Sequence, residues 1–241
     1  EDDVDYKITI DDELVATIKN TTYTPASDLE DGSHRIEIRA VDSFGNEGDI
    51  GKHDVDIDTT PPSVPQFNSV QSPTNNKKPT WTWQQNADVE KFGIVFNSEI
   101  EVESSSTTFT PQTELSDGVY VLKVRAKDSL ENWSEYAERS IQVDTTPPSV
   151  PTVTGVPLTN NKKPEWTWGE VADTAEYGVV LNSNVEVIQT ETTFTSPITL
   201  QDGSHTLKVR AKDSTGNWSE YGQSVTVIDT VPPAVPNPTG Q

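Results

Sequence analysis

The sequence predicts an all-β protein made of tandem Greek-key β-sandwich domains arranged end to end. The first observation is an internal repeat, marked by Asp-Thr-Thr-Pro-Pro at 58–62 and 144–148 and by Asp-Thr-Val-Pro-Pro at 229–233. The second is a set of shorter landmarks with the same period of about 85 residues, which indicates an array of small, similar domains. The third is the alternation of apolar and polar residues over short segments, which is typical of half-buried strands.

The landmarks divide the chain into four parts. Asp-Gly starts at 31, 117 and 202, Asp-Ser-x-x-Asn at 42, 128 and 213, and Lys-Lys-Pro-x-Trp-Thr-Trp at 77 and 162. The predicted domains are an incomplete first repeat at 1–59, complete repeats at 60–145 and 146–230, and the start of a further repeat at 231–241. Aligned with the second repeat, the first lacks about 25 residues that would carry its first two strands. Because the chain contains no methionine, we expect a processed product or a segment of a longer protein.

The second repeat shows the strand pattern most clearly. Phe92, Ile94 and Phe96 alternate with polar or small residues, and Leu122 and Val124 belong to a similar run. Clusters of Pro, Gly, Asn and Ser separate these segments and favour turns. Strands are predicted near 64–70, 78–84, 91–97, 99–104, 107–111, 118–128 and 138–144. Short strands in this number, without helical periodicity, indicate a sandwich of the immunoglobulin or fibronectin type III kind.

The last strand of the third repeat departs from the common pattern. In the second repeat the apolar residues of this strand are Ile141 and Val143, which lie two apart and therefore share one face. In the third repeat the apolar residues are Val225, Val227 and Ile228. This difference predicts that the last strand of the third repeat has slipped out of phase.

Four tryptophans are predicted to form the centre of the domain cores. Trp81 and Trp83 lie two residues apart, as do Trp166 and Trp168, so each pair points to one face of its strand. Burying a tryptophan removes roughly 150–250 Å² from water, which a small domain without disulfides needs. The alternative is an exposed aromatic platform on which sugar rings stack. Two further tryptophans follow the Asp-Ser-x-x-Asn loop and could close the end of the sandwich or face the neighbouring domain, namely Trp133 and Trp218.

The composition restricts the compartment and the partners. The formal charge of −22 and the pI near 4.3 disfavour nucleic acid and anionic membrane as partners, and suit either cations or simple solubility. No segment approaches the length of a transmembrane helix, so no membrane insertion is expected. The chain has no cysteine, so disulfides cannot stabilise the domains, whereas a ligand that binds only the folded state could.

Several motifs carry a family resemblance over essentially the whole chain. The segment at 200–217, which contains Asp-Gly-Ser-His and Lys-Val-Arg-Ala-Lys-Asp-Ser-Thr-Gly-Asn, resembles the bacterial immunoglobulin-like repeats of giant surface adhesins. Pro-Thr-Trp-Thr-Trp at 79–83 and Asn-Trp-Ser-Glu-Tyr at 132–136 also look like bacterial fibronectin type III-like modules. The resemblance implies an extracellular or cell-surface location. It further implies spacer repeats that hold a terminal binding domain away from the cell, some of which bind calcium between domains.

The residues themselves suggest calcium at the junctions between domains. Asp128 and Asn132 lie on the loop before the last strand, and Asp144 lies where that strand leaves the domain, so all three could meet at one end. Calcium takes six to eight oxygen ligands, and these loops offer carboxylate, amide and backbone oxygens. The candidate ligands are Asp42, Asn46, Asp58, Asp128, Asn132, Asp144, Asp213, Asn217 and Asp229. The alternative is ordinary turn chemistry, in which Asp and Asn bond to their own backbone. In the second repeat Glu131 replaces a glycine of this loop.

No catalytic constellation is present in the sequence, so we expect a protein that is not an enzyme. His34 and His205 occupy the position held by Tyr120 in the second repeat, which favours a structural role. The favoured function is an extracellular spacer array in a large, adhesin-like bacterial surface protein. Its partners would be the neighbouring repeats of the same chain and, through other domains, a glycan or a host or cell surface. The rival hypothesis is a set of accessory modules, able to bind glycan, on a secreted polysaccharide-acting enzyme.

Overall fold

The protein is all-β, and the computed structural model describes residues 4–236. These residues form eighteen strands, and no helix occurs among them. Within the same range, nothing is both long and apolar enough to form a membrane-spanning helix. The predicted all-β class of sandwich domains in tandem is confirmed. The predicted domain boundaries stay predictions, and part of the further repeat at 231–241 lies outside the described residues.

The first repeat forms one antiparallel sheet of four strands in the order β2-β1-β3-β4. The strands are β1 (Asp5–Ile10), β2 (Glu13–Ile18), β3 (Gly32–Val41) and β4 (Glu47–Ile57). Asp11 and Asp12 connect β1 to β2 and both adopt positive φ, as a two-residue hairpin of type I′ requires. The alternation seen in the sequence places Ile8 and Ile10 on the buried face of β1.

The second repeat contributes six strands and several isolated bridges. The strands are β5 (Trp81–Thr82), β6 (Lys91–Phe96), β7 (Val102–Ser104), β8 (Thr108–Phe109), β9 (Gly118–Lys127) and β10 (Ala137–Val143). Two sheets result, one in the order β10-β9-β6-β7 and one made of β5 and β8. The strand predicted near 64–70 is reduced to the bridge Phe67↔Trp83. Proline at 65 cannot donate a ladder hydrogen bond, which limits this pairing.

The third repeat is a sandwich of two sheets. One sheet has the order β11-β13-β16 and the other the order β12-β18-β17-β14-β15. The strands are β11 (Val153–Gly155), β12 (Leu158–Thr159), β13 (Glu165–Trp168), β14 (Glu176–Leu181), β15 (Val187–Gln189), β16 (Thr193–Thr195), β17 (Gly203–Lys212) and β18 (Gly222–Ile228). The sequence predicts seven strands for each complete repeat. The additional strand here is β12, a two-residue segment that pairs in parallel with β18.

The chain packs as two compact units, and the division passes through the second repeat. One unit contains the residues up to Phe67 together with Trp83–Thr107 and Lys123–Glu138. The other contains Asn68–Thr82, Thr108–Leu122 and the residues from Arg139 onward, which include the whole third repeat. The junction of the first two repeats therefore lies within one unit, and the junction of the last two lies within the other.

The tryptophan pairs are buried, as predicted. Trp81 and Trp166 are fully inaccessible to solvent, and Trp83 and Trp168 nearly so. In the third repeat Trp166 and Trp168 belong to one apolar cluster drawn from both sheets, in which Trp168 meets Tyr177 edge-on with 5.5 Å between ring centroids. Edge-to-face contacts of this kind contribute beyond the burial of area. An exposed platform for sugar stacking at these four positions is therefore excluded.

The last strand of the third repeat does not slip, so that expectation is wrong. Thr226 is fully buried at the position equivalent to Ile141, and Ile228 is buried at the position equivalent to Val143. Val225 points to solvent. The strand keeps its phase because a threonine fills a core position, leaving its hydroxyl without a hydrogen-bond partner. The pattern of apolar residues predicted the wrong buried face for this strand, because Thr226, a β-branched polar residue, takes the position of an aliphatic one.

Candidate functional site at the repeat junctions

The Asp-Ser-x-x-Asn loop is a turn closed by its own aspartate. Oδ1 of Asp213 accepts hydrogen bonds from the backbone amides of Thr215, Gly216 and Asn217 at 2.7–2.9 Å. Its Oδ2 accepts a hydrogen bond from Nδ2 of Asn217 at 2.8 Å. The equivalent pair in the second repeat, Asp128 and Asn132, makes the same two contacts within the turn. The alternative to calcium binding, in which the aspartate and asparagine of the loop form hydrogen bonds within their own turn, is therefore present in the structure.

The turn also requires a left-handed residue before its asparagine. Gly45 and Gly216 supply it in the first and third repeats, with φ of 84° and 102°. Glu131 supplies it in the second repeat with φ of 72°, a conformation that is unfavourable for a residue with a side chain. The Glu131 carboxylate lies 2.9 Å from Nζ of Lys127, whose side chain is almost fully buried, and this ion pair helps to hold the turn.

The asparagine of the turn in the second repeat, and that in the third, binds the end of the preceding repeat. Nδ2 of Asn217 donates to the backbone carbonyl of Asp144 at 2.9 Å, and Nδ2 of Asn132 donates to the carbonyl of Asp58 at 2.9 Å. The Thr215 hydroxyl lies 3.3 Å from the same Asp144 carbonyl. Leu130 occupies the position of Thr215 in the second repeat and cannot donate such a bond. The loop of one repeat is therefore fastened to the last strand of the repeat before it.

This grouping corrects the expectation that Asp128, Asn132 and Asp144 meet at one end of a single repeat. The contacts instead group Asp144 with Asp213 and Asn217 of the following repeat. The reason is that the last strand ends where the next domain begins, so its terminal carbonyl faces the loop of that next domain. In the first repeat Asp42 and Asn46 form the turn and bond to each other, and in the third Asp229 accepts a bond from the backbone amide of Val231.

A second aspartate holds each linker, and sequence reasoning missed it. Oδ1 of Asp117 accepts from the amide and the hydroxyl of Thr145 at 2.9 and 2.7 Å, and its Oδ2 accepts from the hydroxyl of Thr146. Asp31 does the same for Thr59 and Thr60. These aspartates begin the Asp-Gly landmarks, whose role the sequence left open. The contact could have been predicted from the sequence, because the aspartate and the first linker threonine are always 28 residues apart.

Hydrogen bonding keeps these carboxyl groups ionised. Hydrogen bonds from Thr146 and Thr145 hold the pKa of Asp117 below its ordinary value. At Asp213 burial raises the pKa, but hydrogen bonds from Thr215 and Asn217 outweigh it, so the pKa is again lowered. Both carboxylates are therefore negatively charged acceptors over the whole physiological range, which strengthens the bonds that they receive.

Three carboxylates converge at the junction between the second and third repeats. One oxygen each from Asp144, Asp173 and Asp213 lies within 4.8 Å of the others. Asp213 is only 3% exposed, whereas Asp173 faces solvent. Oxygen donors of this kind suit a hard cation such as calcium. The fit is incomplete, however, because both oxygens of Asp213 already accept hydrogen bonds from the turn. Asp173 was not among the ligands predicted from the sequence.

The sequence did not decide where Trp133 and Trp218 lie. In the structure both lie beside arginines on the sheet. The guanidinium of Arg210 lies over the Trp218 ring at 4.1 Å from its centroid and forms two hydrogen bonds with Glu186. Arg125, Trp133 and Glu101 repeat this arrangement. Because each tryptophan face is covered by a cation, the arrangement stabilises the sheet surface through cation–π contact.

Glycines make room for these clusters. A Cβ at Gly93 would lie 1.8 Å from Oε1 of Glu101 and 2.9 Å from the Trp133 ring. A Cβ at Gly178 would meet Glu186 and Trp218 in the same way.

His34 and His205 have a structural role, since Nε2 of each lies 2.7 Å from the backbone carbonyl oxygen of the residue four positions earlier.

Comparison with known proteins agrees with this architecture. A family model described as bacterial Ig-like domain matches residues 67–145 and 155–230. The chain therefore belongs to the bacterial immunoglobulin-like domain family, and the resemblance inferred from the sequence is confirmed.

The individual relatives are more distant. The chain is similar to Exoglucanase B of Cellulomonas fimi, with 24% identity over 242 residues that cover 90% of this chain and 22% of that protein. It therefore spans less than a quarter of that relative. Among solved structures it is similar to the fibronectin(III)-like modules of Clostridium thermocellum CbhA, with a TM-score of 0.43 and 14% identity over 68% of this chain and 93% of that one. It is also similar to the FN1–FN3 domains of chicken CNTN1, with a TM-score of 0.40 and 14% identity over 94% and 95% of the two chains.

Proposed function

We propose that this chain is a non-catalytic spacer segment of an extracellular bacterial protein, in which successive immunoglobulin-like repeats are fastened to one another. The observation that carries the proposal is the bond from Asn132 to the Asp58 carbonyl and from Asn217 to the Asp144 carbonyl. Asp117 supports it by fixing the linker threonines that follow Asp144. A linker with few accessible conformers restricts how one repeat can move relative to the next, and a spacer requires such a stiff linker.

The linker sequence supports the same role. Prolines at 147 and 148 fix their own φ and keep the preceding residue extended. Together with the bonds from Asp117 to Thr145 and Thr146, they leave few conformers to the chain between repeats. In this proposal the array belongs to an adhesin-like surface protein and its immediate partners are the neighbouring repeats.

A second candidate function is an accessory module of a secreted polysaccharide-acting enzyme. The specific observation in its favour is the similarity to Exoglucanase B, which extends over 90% of this chain. The four core tryptophans are buried, so a glycan would have to bind elsewhere on the surface. Exposed aromatic side chains are present at Phe44, Tyr136 and Tyr221.

Retention on polysaccharides distinguishes the two functions. For spacer repeats we expect no retention of the chain on microcrystalline cellulose or on xylan above that of an unrelated acidic protein. Retention that is lost in the Tyr136→Ala, Tyr221→Ala double variant would favour the accessory module instead. Retention that this variant preserves and that Phe44→Ala removes would place the glycan on the first repeat and would equally contradict the spacer.

Calcium at the junction between the second and third repeats is a further part of the proposal. Three carboxylates within 4.8 Å repel one another, and a divalent cation between Asp144, Asp173 and Asp213 would relieve this repulsion. We expect the melting temperature to rise by several degrees in millimolar calcium and to fall with a chelator. Binding linkage gives about 2.7 kcal/mol at a hundredfold excess over the dissociation constant, which a thermal melt resolves easily.

The chain offers a matched control for the calcium experiment. Asp173→Asn removes one charge from the cluster, and asparagine tolerates the positive φ of 61° at this position. Asp88 occupies the equivalent position in the second repeat with φ of 60°. We expect Asp173→Asn to abolish the response to calcium and Asp88→Asn to preserve it. Identical melts in calcium and in chelator would show that the loops are turns without a metal.

A further inference from the structure

The first and third repeats place the same histidine in two different chemical settings. A shift of 171 residues aligns three pairs of residues, namely His34 with His205, Asp11 with Asn182 and Glu30 with Gln201. The two acidic residues around the histidine of the first repeat are therefore amides in the third. In the second repeat Tyr120 takes the position of the histidine, and its hydroxyl donates to the carbonyl of Ser116 at 2.9 Å.

In the first repeat both ring nitrogens of His34 face hydrogen-bond acceptors. Nδ1 lies 2.6 Å from Oδ2 of Asp11, and Nε2 lies 2.7 Å from the backbone carbonyl oxygen of Glu30. A carboxylate and a carbonyl oxygen only accept hydrogen bonds, so both nitrogens must carry a proton and the imidazole is a cation. Oδ1 of Asp11 also accepts from the backbone amide of Arg35 at 2.9 Å. The imidazole thus ties the turn between β1 and β2 to the segment that leads into β3.

In the third repeat a neutral imidazole satisfies both contacts. The backbone amide of Thr206 donates to Oδ1 of Asn182 at 2.9 Å, which turns Nδ2 of Asn182 toward the ring of His205. Nδ1 of His205 therefore accepts a hydrogen bond, at 2.7 Å, and Nε2 donates to the carbonyl of Gln201 at 2.7 Å. One donor and one acceptor are what a neutral imidazole offers.

Loss of a proton consequently affects the two repeats differently. When His34 releases a proton to the solvent, one ring nitrogen keeps only a lone pair, and that lone pair faces the oxygen of Asp11 or of Glu30. One of the two hydrogen bonds is then lost and becomes a repulsion. His205 has no second proton to lose in its arrangement, so the same rise in pH leaves its contacts intact.

The charged groups near His34 favour its cationic form. On β4 the residue opposite His34 is Val55, and the nearest titratable residue on the same face of that strand is His53, which is exposed to solvent. Arg35, next to His34 on β3, pairs with Asp54 of β4 at 2.8 Å. The charges that act on the ring from the turn and from the segment before β3 are therefore the carboxylates of Asp11 and Glu30.

The pKa values of the partners follow from these contacts. The hydrogen bond with the carbonyl of Glu30, followed by that with Asp11, raises the pKa of His34 above its ordinary value. The amide of Arg35 and the imidazole of His34 lower the pKa of Asp11. The contribution of His34 to stability is thus complete below its unfolded pKa of about 6.5 and is lost as the pH rises through the folded value. That of Asp11 is lost only in acid, as the pH falls through its own folded pKa.

We propose that His34, Asp11 and the carbonyl of Glu30 form a pH-sensitive latch that holds the β1–β2 turn against the start of β3 and opens as the pH rises above neutral. The third repeat carries the same histidine without the latch, because amides replace both carboxylates. The latch lies within one repeat and does not depend on the spacer function.

Titration of His34 in the whole chain, followed by nuclear magnetic resonance of the imidazole carbons, tests the ion pair. Asp11→Asn reproduces the arrangement of the third repeat, and asparagine tolerates the φ of 51° at this position. We expect this variant to lower the titration midpoint of His34 by about one pH unit or more. Asp12→Asn, at φ of 67° in the same turn, removes the same charge and is expected to shift the midpoint much less. An unchanged midpoint in Asp11→Asn, or equal shifts in the two variants, would overturn the proposal.

Hydrogen exchange of two equivalent backbone amides tests whether the latch opens. The amide of Asp11 donates to the carbonyl of Arg35 at 3.0 Å, and that of Asn182 donates to the carbonyl of Thr206 at 2.9 Å. Relative to the intrinsic exchange rate at each pH, we expect the protection of the Asp11 amide to fall about fivefold or more between about pH 5.5 and about pH 8.5, since a shift of one pH unit corresponds to a factor of ten. The protection of the Asn182 amide should stay constant. If both amides keep their protection, or lose it by the same factor, no latch opens at His34.

Discussion

Replacing Trp166 with alanine is expected to lower the stability of the third repeat by about 3–5 kcal/mol. The indole is fully buried and packs in a cluster drawn from both sheets, so its removal leaves a cavity that surrounding side chains cannot fill. Truncating a buried tryptophan to alanine costs about 3–5 kcal/mol, and a domain of this size has only about 5–15 kcal/mol in total. The absence of cysteine means that no disulfide limits the loss.

Chemical denaturation followed by circular dichroism measures this effect. Val185→Ala in the same repeat is the matched control, because that side chain is 89% exposed and its truncation should change stability by less than about 0.5 kcal/mol. If Trp166→Ala and Val185→Ala unfold at the same denaturant concentration, burial of the Trp166 indole does not stabilise the third repeat and this part of the account is wrong.

Asp213→Ala is expected to have the second largest effect. The carboxylate accepts hydrogen bonds from the amides of Thr215, Gly216 and Asn217 and from the side chain of Asn217. Each buried donor left without a partner costs about 1–3 kcal/mol, and since water reaches some of them we expect a loss of about 2–4 kcal/mol. The Asn217 side chain should also lose the orientation that directs it to the Asp144 carbonyl.

Asp42→Ala is the matched control for this variant. It removes the same turn acceptor in the first repeat, where the equivalent carboxylate is more exposed and Asn46 bonds back to it. We expect a much smaller change in stability there, because water can replace the lost acceptor. Equal losses in the two variants would show that the turn alone, and not its place at a junction, determines the stability.

The same carboxylate predicts how stability depends on pH. The pKa of Asp213 is lowered by folding, so its contribution is complete above the unfolded pKa of about 4 and is lost as pH falls through the folded value. We therefore expect Asp213→Ala and the parent chain to converge in stability in acid, below about pH 4. A difference in stability that stays unchanged as the pH falls well below about 4, through the folded pKa of Asp213, would contradict the role of the ionised carboxylate.

The sequence predicted the fold because the core depends on local patterns. Alternation along one strand is enough to identify an inward face, and the paired tryptophans identify the centre of each core. The pattern failed at Thr226, where a buried threonine stands in for an aliphatic residue. It also failed for the strand near 64–70, because hydrogen-bond pairing depends on a partner strand that the local sequence does not specify.

The junction was only partly predictable because its contacts join distant positions. The Asp-Ser-x-x-Asn residues were identified, but their partner in the preceding repeat lies more than seventy residues away, at separations of 73 and 74. The Asp117–Thr145 contact spans 28 residues and becomes visible only when β9 and β10 bring the Asp-Gly turn beside the linker. Asp173 belongs to the carboxylate cluster but was not predicted, because it lies on a loop for which the sequence suggested no function.

Hydrogen exchange of three asparagine side chains tests the fastening of the repeats most directly. Nδ2 of Asn132 and of Asn217 donates to a carbonyl of the preceding repeat, whereas the contact shown for Nδ2 of Asn46 is with its own turn. In one nuclear magnetic resonance sample of the whole chain, we expect the side-chain amides of Asn132 and Asn217 to exchange at least tenfold more slowly than those of Asn46. If all three exchange at the same rate, the asparagines do not fasten one repeat to the next and the spacer account is wrong at its central point.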